Sequence, residues 1–156
     1  GEDFTNAVQF LEALIAAKNQ MDEDEVPEEG RILYATPTLM NGVMALDTTK
    51  SREILTCFSI KRKVPQSRFY TAIDLLSGKT GEEAGHYKKN ASAKDINFMI
   101  IHKPAVMKYD KHVAQDIIPA SMNADADADI LKYRKYGLVD VYKNKCAGIF
   151  MCTKTK

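Results

Sequence analysis

The chain has 156 residues, of which 45% are hydrophobic and 28% are charged, and its 22 lysines and arginines nearly balance its 21 aspartates and glutamates. This length predicts one domain that buries about 70% of its unfolded surface, and the balance of charge excludes a global field drawing the chain to nucleic acid or acidic membranes. The longest apolar runs fall far short of the roughly 18 residues that a spanning helix needs. We therefore expect a globular protein with no membrane contact and no sequence-specific binding of nucleic acid.

The first predicted element is a helix in residues 3–21, where apolar side chains recur at the spacing of one helix face. Asp3 or Thr5 is suited to cap its start. An acidic link, residues 22–30, follows the helix, and Pro27 within it forbids continuation. The predicted apolar stripe consists of Phe4, Val8, Leu11 and Ile15, with Phe10 and Leu14 beside it.

The next segment predicts a strand, a turn and a short helix. Residues 31–36 are rich in strand formers, and Thr36 with Pro37 has the pattern of an N-cap followed by the first helical position. Two further runs, 53–60 and 67–76, are also typical of strands.

The second half of the chain predicts mainly antiparallel strands. Residues 77–95 carry three glycines and almost no large apolar side chain, so we expect a long exposed loop. Residues 96–102 predict a buried strand, and one or two more follow Pro104. Residues 138–151 predict a hairpin that turns at 143–145. The sum is an α+β domain with a mixed or antiparallel sheet and a few helices.

Three aspartates at alternate positions raise the question of a calcium loop. Asp125, Asp127 and Asp129 match its first three ligands, but Ile130 stands where the loop requires Gly and Tyr136 where it requires the closing Glu. The favoured interpretation is an acidic, solvated turn. The three aspartates remain weak candidates for a metal site.

Two other patterns could bind phosphate. The sequence SGKT at 77–80 copies the end of a phosphate-binding loop, but Ile73 occupies the position of the required first glycine. Basic clusters lie at 61–63 and 132–135, the second interleaved with tyrosines. A solvated strand face is the favoured interpretation of both clusters.

No group of nucleophile, base and orienting residue is recognisable, so we expect no catalysis and no cofactor. The histidines lack metal-ligand spacing to one another or to cysteine and are interpreted as structural or surface residues. The cysteines are odd in number and lack CxxC spacing, which predicts buried free thiols in a reducing compartment. These residues are His86, His102 and His112, and Cys57, Cys146 and Cys152.

Several motifs occur in a particular order along almost the whole chain. They are VPEEGR (26–31), VP (64–65), SRFY (67–70), INF (96–98), HKPAV (102–106), YRKY (133–136) and NKCAGI (144–149). In this order they resemble the major capsid proteins of tailed bacteriophages, the family with the Hong Kong 97 type fold. In such coat proteins a turn rich in Asn and Asp leads into a Tyr-Arg-x-Tyr strand.

The resemblance implies a structural subunit that self-assembles into rings and shells. Its partners would be copies of itself and a scaffold or other capsid proteins, in the bacterial host cytoplasm before assembly and in the virion capsid afterwards. Residues 1–29 would be a peripheral-domain helix and acidic link, 30–105 an axial-type domain, and 106–156 the returning peripheral-domain strands, together one compact fragment. We expect the C-terminal part of a coat protein, which by itself is a monomer or weak oligomer.

Charge complementarity suggests where neighbouring subunits meet, namely the acidic link and the loop 77–95. The candidate contacts are Glu28, Glu29 and Arg31 with Lys79, Lys88 or Lys89 of a neighbour. Three alternatives stay open. They are the shell of a cellular nanocompartment, a small ligand-binding or regulatory α+β domain, and, last, an enzyme that uses Cys57 or Cys146.

Overall fold

The structure, a computed structural model, describes residues 1–79, 81 and 85–155. Residues 80 and 82–84 of the predicted loop, among them the last residue of SGKT, lie outside the described residues. The chain folds into two compact units. We call residues 1–105 with 144–156 the sheet unit, and residues 106–143 the ribbon unit. The α+β class is confirmed.

The division differs from the three segments that the resemblance implies. Residues 1–29 and 30–105 share one unit, and residues 144–156 return to it.

The helices are α1 (Ala7–Glu23), α2 (Pro37–Leu46) and α3 (Thr49–Thr56), and the strands are β1 (Arg31–Ala35), β2 (Ile60–Lys63), β3 (Ile73–Leu75), β4 (Tyr87–Lys89), β5 (Ile96–His102), β6 (Val106–Ile118), β7 (Ile130–Val141) and β8 (Ile149–Thr153).

The described part of the sheet unit is built on a four-stranded sheet in the order β2-β1-β5-β8. β1 pairs with β2 in parallel and with β5 antiparallel, and β5 pairs antiparallel with β8, so the sheet is mixed. β3 and β4 form a separate antiparallel pair.

The core lies between the helices and one face of this sheet. Because successive strand residues alternate between faces, Leu33 and Ala35 of β1 share the helix face with Phe98 and Ile100 of β5. Phe98 is central, with its ring centroid 5.4 Å from that of Phe10 on α1. The buried set comprises Phe10, Leu11, Leu14, Ala17, Met21, Val26, Leu33, Ala35, Met40, Val43, Ile54, Phe58, Phe98 and Ile100.

Helix α1 is confirmed, but its cap and its buried face differ from the prediction. Neither Asp3 nor Thr5 is the N-cap. The Asn6 side chain accepts a hydrogen bond from the Gln9 backbone N–H at 2.9 Å, because Asn6 is the extended residue directly before the first helical turn. Val8 is 48% exposed, so the buried face is rotated towards Phe10, Leu11, Leu14, Ala17 and Met21.

β1 and α2 are confirmed, with Thr36 in the N-cap position and Pro37 at the start of the helix. Strand β5 is also confirmed, and four of its seven residues are buried.

The strand predicted at 53–60 is wrong over most of its length. Thr48 and Ser51 form a reciprocal capping box, in which each side chain bonds the other's backbone N–H, and this begins helix α3. Of the predicted run only Ile60 belongs to a strand, and it opens β2, which contains the basic cluster 61–63.

The strand predicted at 67–76 is interrupted. Residues Gln66–Arg68 form a short 3-10 helix, Tyr70 makes an isolated bridge to Asp95, and β3 covers only the end of the predicted run. β3 pairs with β4, so part of the predicted loop 77–95 is strand.

The ribbon unit consists of β6 and β7, paired antiparallel from Val106 with Val141 to Ile118 with Ile130. Lys111 is the extra residue of a bulge between Asp110 and His112.

The hairpin predicted at 138–151 is therefore wrong, since β7 pairs with β6 and β8 pairs with β5. Residues Lys143–Gly148 form two short 3-10 segments joined by a kink at Lys145 rather than a tight turn. A Cβ atom on Gly148 would lie 2.9 Å from the Ala105 Cβ, so the two ends of the sheet unit that lead to and from the ribbon residues pack closely.

Candidate functional site

The ribbon unit exposes apolar side chains on both of its faces. The pairing register assigns Val113, Ile117, Leu131, Tyr133 and Val139 to one face, which we call the aliphatic face. Their side chains are between 51% and 71% exposed. The opposite face carries the exposed residues Tyr109, Tyr136 and Leu138.

This exposure is unusual for a pair of strands. An isolated two-stranded hairpin is marginally stable in water, and contiguous exposed apolar surface marks a site of interaction. Within the described ranges no third strand pairs with β6 or β7, so the outer edge of each is open to a further strand. The ribbon unit therefore offers two faces that carry exposed apolar side chains, and two open edges.

Charges interrupt the aliphatic face near its middle. The Asp110 carboxylate lies 3.1 Å from the Lys135 Nζ and 3.9 Å from the Lys108 Nζ. These groups are all well exposed, so the pairs add little stability. They divide the face into an aliphatic cluster near Ile117 and Leu131 and a second near Val139.

In the sheet unit, the acidic link is fixed by two cations. The Lys18 Nζ lies 2.8 Å from an Asp22 carboxylate oxygen and 3.3 Å from Glu28, and the Arg31 Nη2 lies 2.7 Å from Asp22. Arg31 also donates to the Pro27 carbonyl at 3.0 Å and to the Val26 carbonyl. The chain between α1 and β1 is thereby held in one conformation.

The same contacts shift two pKa values. The hydrogen bond from Lys18, followed by that from Arg31, lowers the pKa of Asp22, and the hydrogen bond to Asp22 raises the pKa of Lys18.

Arg31 is not available to a neighbouring subunit, which corrects its place among the candidate contacts. Its side chain is only 1% exposed, and its hydrogen bonds go to its own chain. Glu28 and Glu29 are exposed.

Two of the three candidate lysines, Lys88 and Lys89, lie at the end of the sheet unit where β5 begins. Lys88 and Lys89 line an open cleft of about 590 Å³, and Lys79, although exposed, is not part of its lining. We call this the basic cleft. It is lined by Gln66, Ser67, Arg68, Tyr70, His86, Tyr87, Lys88, Lys89 and Asp95.

Within the cleft, Lys89 is already engaged. Its Nζ lies 2.5 Å from the Asp95 carboxylate and 5.8 Å from the centre of the Tyr70 ring. Arg68 and Lys88 are exposed and form no ion pair with any residue that the structure describes. Sequence reasoning missed Arg68 and Tyr70 as site residues, although both belong to the quoted motif SRFY.

The three aspartates of the suspected calcium loop are exposed, and the carboxylate of one of them contacts the local backbone. The Asp129 carboxylate accepts a hydrogen bond from the Ala120 backbone N–H at 2.8 Å, and Asn123 accepts one from the Asp125 backbone N–H at 3.2 Å. Among the described residues no group of three or more His, Cys, Asp or Glu side chains is placed to hold a metal ion. The geometry of Asp125, Asp127 and Asp129 is that of a solvated turn.

The three cysteines form no disulfide with one another, but the prediction that they are buried is wrong. Cys146 is exposed, because it lies in the 3-10 segment and not in a strand. Cys57 ends α3 and Cys152 lies in β8, and both are partly buried. Burial raises the pKa of both thiols, and for Cys57 a hydrogen bond with Glu28 adds to the effect.

The basic clusters are accounted for by exposed strands. Lys61 donates to the Leu55 carbonyl at 3.0 Å and Lys63 to the Asn41 side chain at 2.6 Å, both within the sheet unit. Residues 132–135 lie in β7 and are exposed.

No helix in the described part of the chain is long and apolar enough to cross a membrane. Comparisons with models of protein families, with curated proteins and with solved structures find no match to this chain.

Proposed function

We propose that this chain is a structural subunit of a phage or prophage capsid, or the C-terminal part of one, and that it acts by self-assembly and without catalysis. The proposal takes its family from the ordered motifs that resemble tailed-phage coat proteins. Its partners are copies of the same chain, assisted by a scaffold or other capsid proteins.

The observation that carries the proposal is the exposed apolar surface of the ribbon unit. In a monomeric protein the exposed side chains of Ile117, Leu131 and Val139 contribute nothing to stability. Each would contribute free energy only if a partner buried it. A shell subunit requires surfaces of this kind, which are covered only when copies meet. The open edges of β6 and β7 would also allow a strand of another copy to pair with the ribbon.

The first test is expression of the complete reading frame that encodes this chain, followed by negative-stain electron microscopy of the purified product. We expect hollow particles of uniform diameter. Shells that enclose a co-purified enzyme would assign the chain to a cellular nanocompartment instead. Small unassembled particles would contradict the proposal.

A matched pair of variants in the same frame tests the role of the ribbon. The double substitution Ile117→Ser with Leu131→Ser removes the directly paired aliphatic residues, and we expect it to abolish shells because the faces no longer bury apolar area. The matched control Asp116→Ser with Lys132→Ser changes a directly paired set of exposed polar residues on the opposite face, keeps the net charge, and should leave the shells unchanged. Intact shells from the double variant would show that this face is not an assembly surface.

A further inference from the structure

We propose that copies of this chain associate head to tail, with the acidic link of one copy lying in the basic cleft of the next. The inference rests on the proposed function of self-assembly and identifies the contact that orients neighbouring subunits. It is carried by the positions of two oppositely charged surfaces on the sheet unit.

The two surfaces lie at opposite ends of the central sheet. The acidic link runs directly into Arg31 at the start of β1, and Arg31 pairs with His102 at the end of β5. The basic cleft lies at the other end. There the Ile96 N–H, at the start of β5, bonds the Phe69 carbonyl at 2.9 Å, and Asp95 lines the cleft.

The separation prevents the link from filling the cleft of its own chain. The five residues of β1 span roughly 15 Å between the two ends. The acidic link and the basic cleft are attached to opposite ends of the same sheet, so they cannot come into contact within one chain. Only a second copy can bring the two charges together.

The acidic link presents more negative charge than its own chain neutralises. Residues 22–29 contain six carboxylates, and Lys18 and Arg31 pair with only Asp22 and Glu28. The carboxylates of Glu23, Glu25 and Glu29 are exposed and form no ion pair with any described residue.

The conformation of the acidic link is also fixed before any partner binds. The bonds from Arg31 to the Val26 and Pro27 carbonyls fix its path. Glu25 has a backbone φ of 57°, a left-handed conformation that is costly for a non-glycine residue and is often found at functional sites. A segment fixed before binding loses less conformational entropy when a partner arrives.

The basic cleft supplies the complementary charge. Arg68 and Lys88 are its exposed cations without a described carboxylate partner, and Tyr70 and Tyr87 add ring surface beside them. Opposite potentials of this kind orient partners and select the register more than they add affinity. A contact between two different surfaces of the same chain repeats from copy to copy and closes into a ring where the rotation permits.

The test uses two charge-reversed chains. Glu25→Lys with Glu29→Lys reverses the link at residues that form no described ion pair, and Arg68→Glu with Lys88→Glu reverses the cleft. The control, Glu12→Lys with Asp127→Lys, changes the net charge of the chain by the same amount as the link reversal, at exposed sites away from the link. Far-UV circular dichroism establishes that each variant is folded.

Sedimentation velocity at low salt then measures association. We expect the unchanged chain and the control to form oligomers that dissociate at high salt. Each reversed chain alone should associate at least about tenfold more weakly. An equimolar mixture of the two reversed chains, and a chain with all four substitutions, should recover the association of the unchanged chain.

Three outcomes would overturn the inference. They are an unchanged chain that stays monomeric at low salt, reversed chains that associate like the control, and a mixture that fails to recover association. A cleft that instead binds a single-stranded oligonucleotide, with binding lost on cleft reversal and association unaffected by link reversal, would assign the cleft to phosphates. Shells that form normally with either reversal would remove this contact and leave the capsid proposal standing.

Discussion

The two units of this chain differ in what stabilises them. In the sheet unit, three helices cover one face of the sheet and fully bury side chains such as Phe98, Leu33 and Met40. In the ribbon unit, twelve paired positions of β6 and β7 form a ladder with one bulge, yet apolar residues remain exposed on both faces. Backbone hydrogen bonds alone give each residue little net stability, since water offers the same bonds to the unfolded chain.

The comparison shows that strands can pair over many residues without forming a hydrophobic core. The sheet unit has paired strands and a hydrophobic core, so burial stabilises its strands against local unfolding. The ribbon unit has paired strands without such a core, so its stability depends on whatever covers its faces. The functional proposal follows from this difference, because assembly would supply the missing cover.

The largest expected effect tests where the core lies. Phe98→Ala should lower the free energy of unfolding by about 4 kcal/mol, because it leaves a cavity among Phe10, Phe150 and α1. Ile117→Ala in the ribbon unit should change it by less than about 0.5 kcal/mol, because the side chain is already in water. Urea unfolding of the unassembled chain measures both. Equal losses would mean that the ribbon has a core of its own.

A smaller effect compares a buried cation with an exposed one. Arg31→Ala should cost about 3 kcal/mol, because it leaves the Val26 and Pro27 carbonyls without this donor and removes one of the two cationic partners of Asp22. Lys135→Ala breaks the exposed pair with Asp110 and should cost at most about 1 kcal/mol. The same urea experiment applies. A cost for Lys135→Ala that matches Arg31→Ala would contradict the comparison.

The smallest effect is a dependence on pH that belongs to the sheet unit. The pKa of Asp22 is lowered in the folded chain, so its contribution to stability is present above the ordinary carboxyl value of 3.8 and is lost as the pH falls through the lowered value. Asp22→Asn should therefore reduce the loss of stability between neutral and acid pH. Thermal unfolding at a series of pH values measures this slope, and an unchanged slope in the variant would disprove the role of Asp22.

Much of the local structure was predictable because its signals are local. The apolar spacing of α1, the Thr36-Pro37 start of α2 and the apolar run of β5 each indicate an element within a few residues. The error at 53–60 has a local explanation too. The capping box uses Ser51 where the usual pattern has Glu or Gln, so the start of α3 was not recognised.

The candidate site was predictable in its charges and not in its geometry. Glu28, Glu29, Lys88 and Lys89 are predicted to be contact residues because charge can be read directly from the sequence. Burial cannot be read in this way, and Arg31 proved to be internal for that reason. Arg68 joins the lysines only because the chain folds Gln66–Arg68 beside the start of β5.

The sequence by itself determined the α+β class, the first helix, the short second helix and the buried central strand, since each depends on the periodicity and caps of a single segment. The tertiary structure alone decided which strands pair, that β8 returns to β5, and that β7 joins β6 in a ribbon with exposed apolar faces. The physical reason is that pairing depends on competition among distant segments for the same backbone edges and buried surface. The outcome of that competition cannot be predicted from any short segment of the chain.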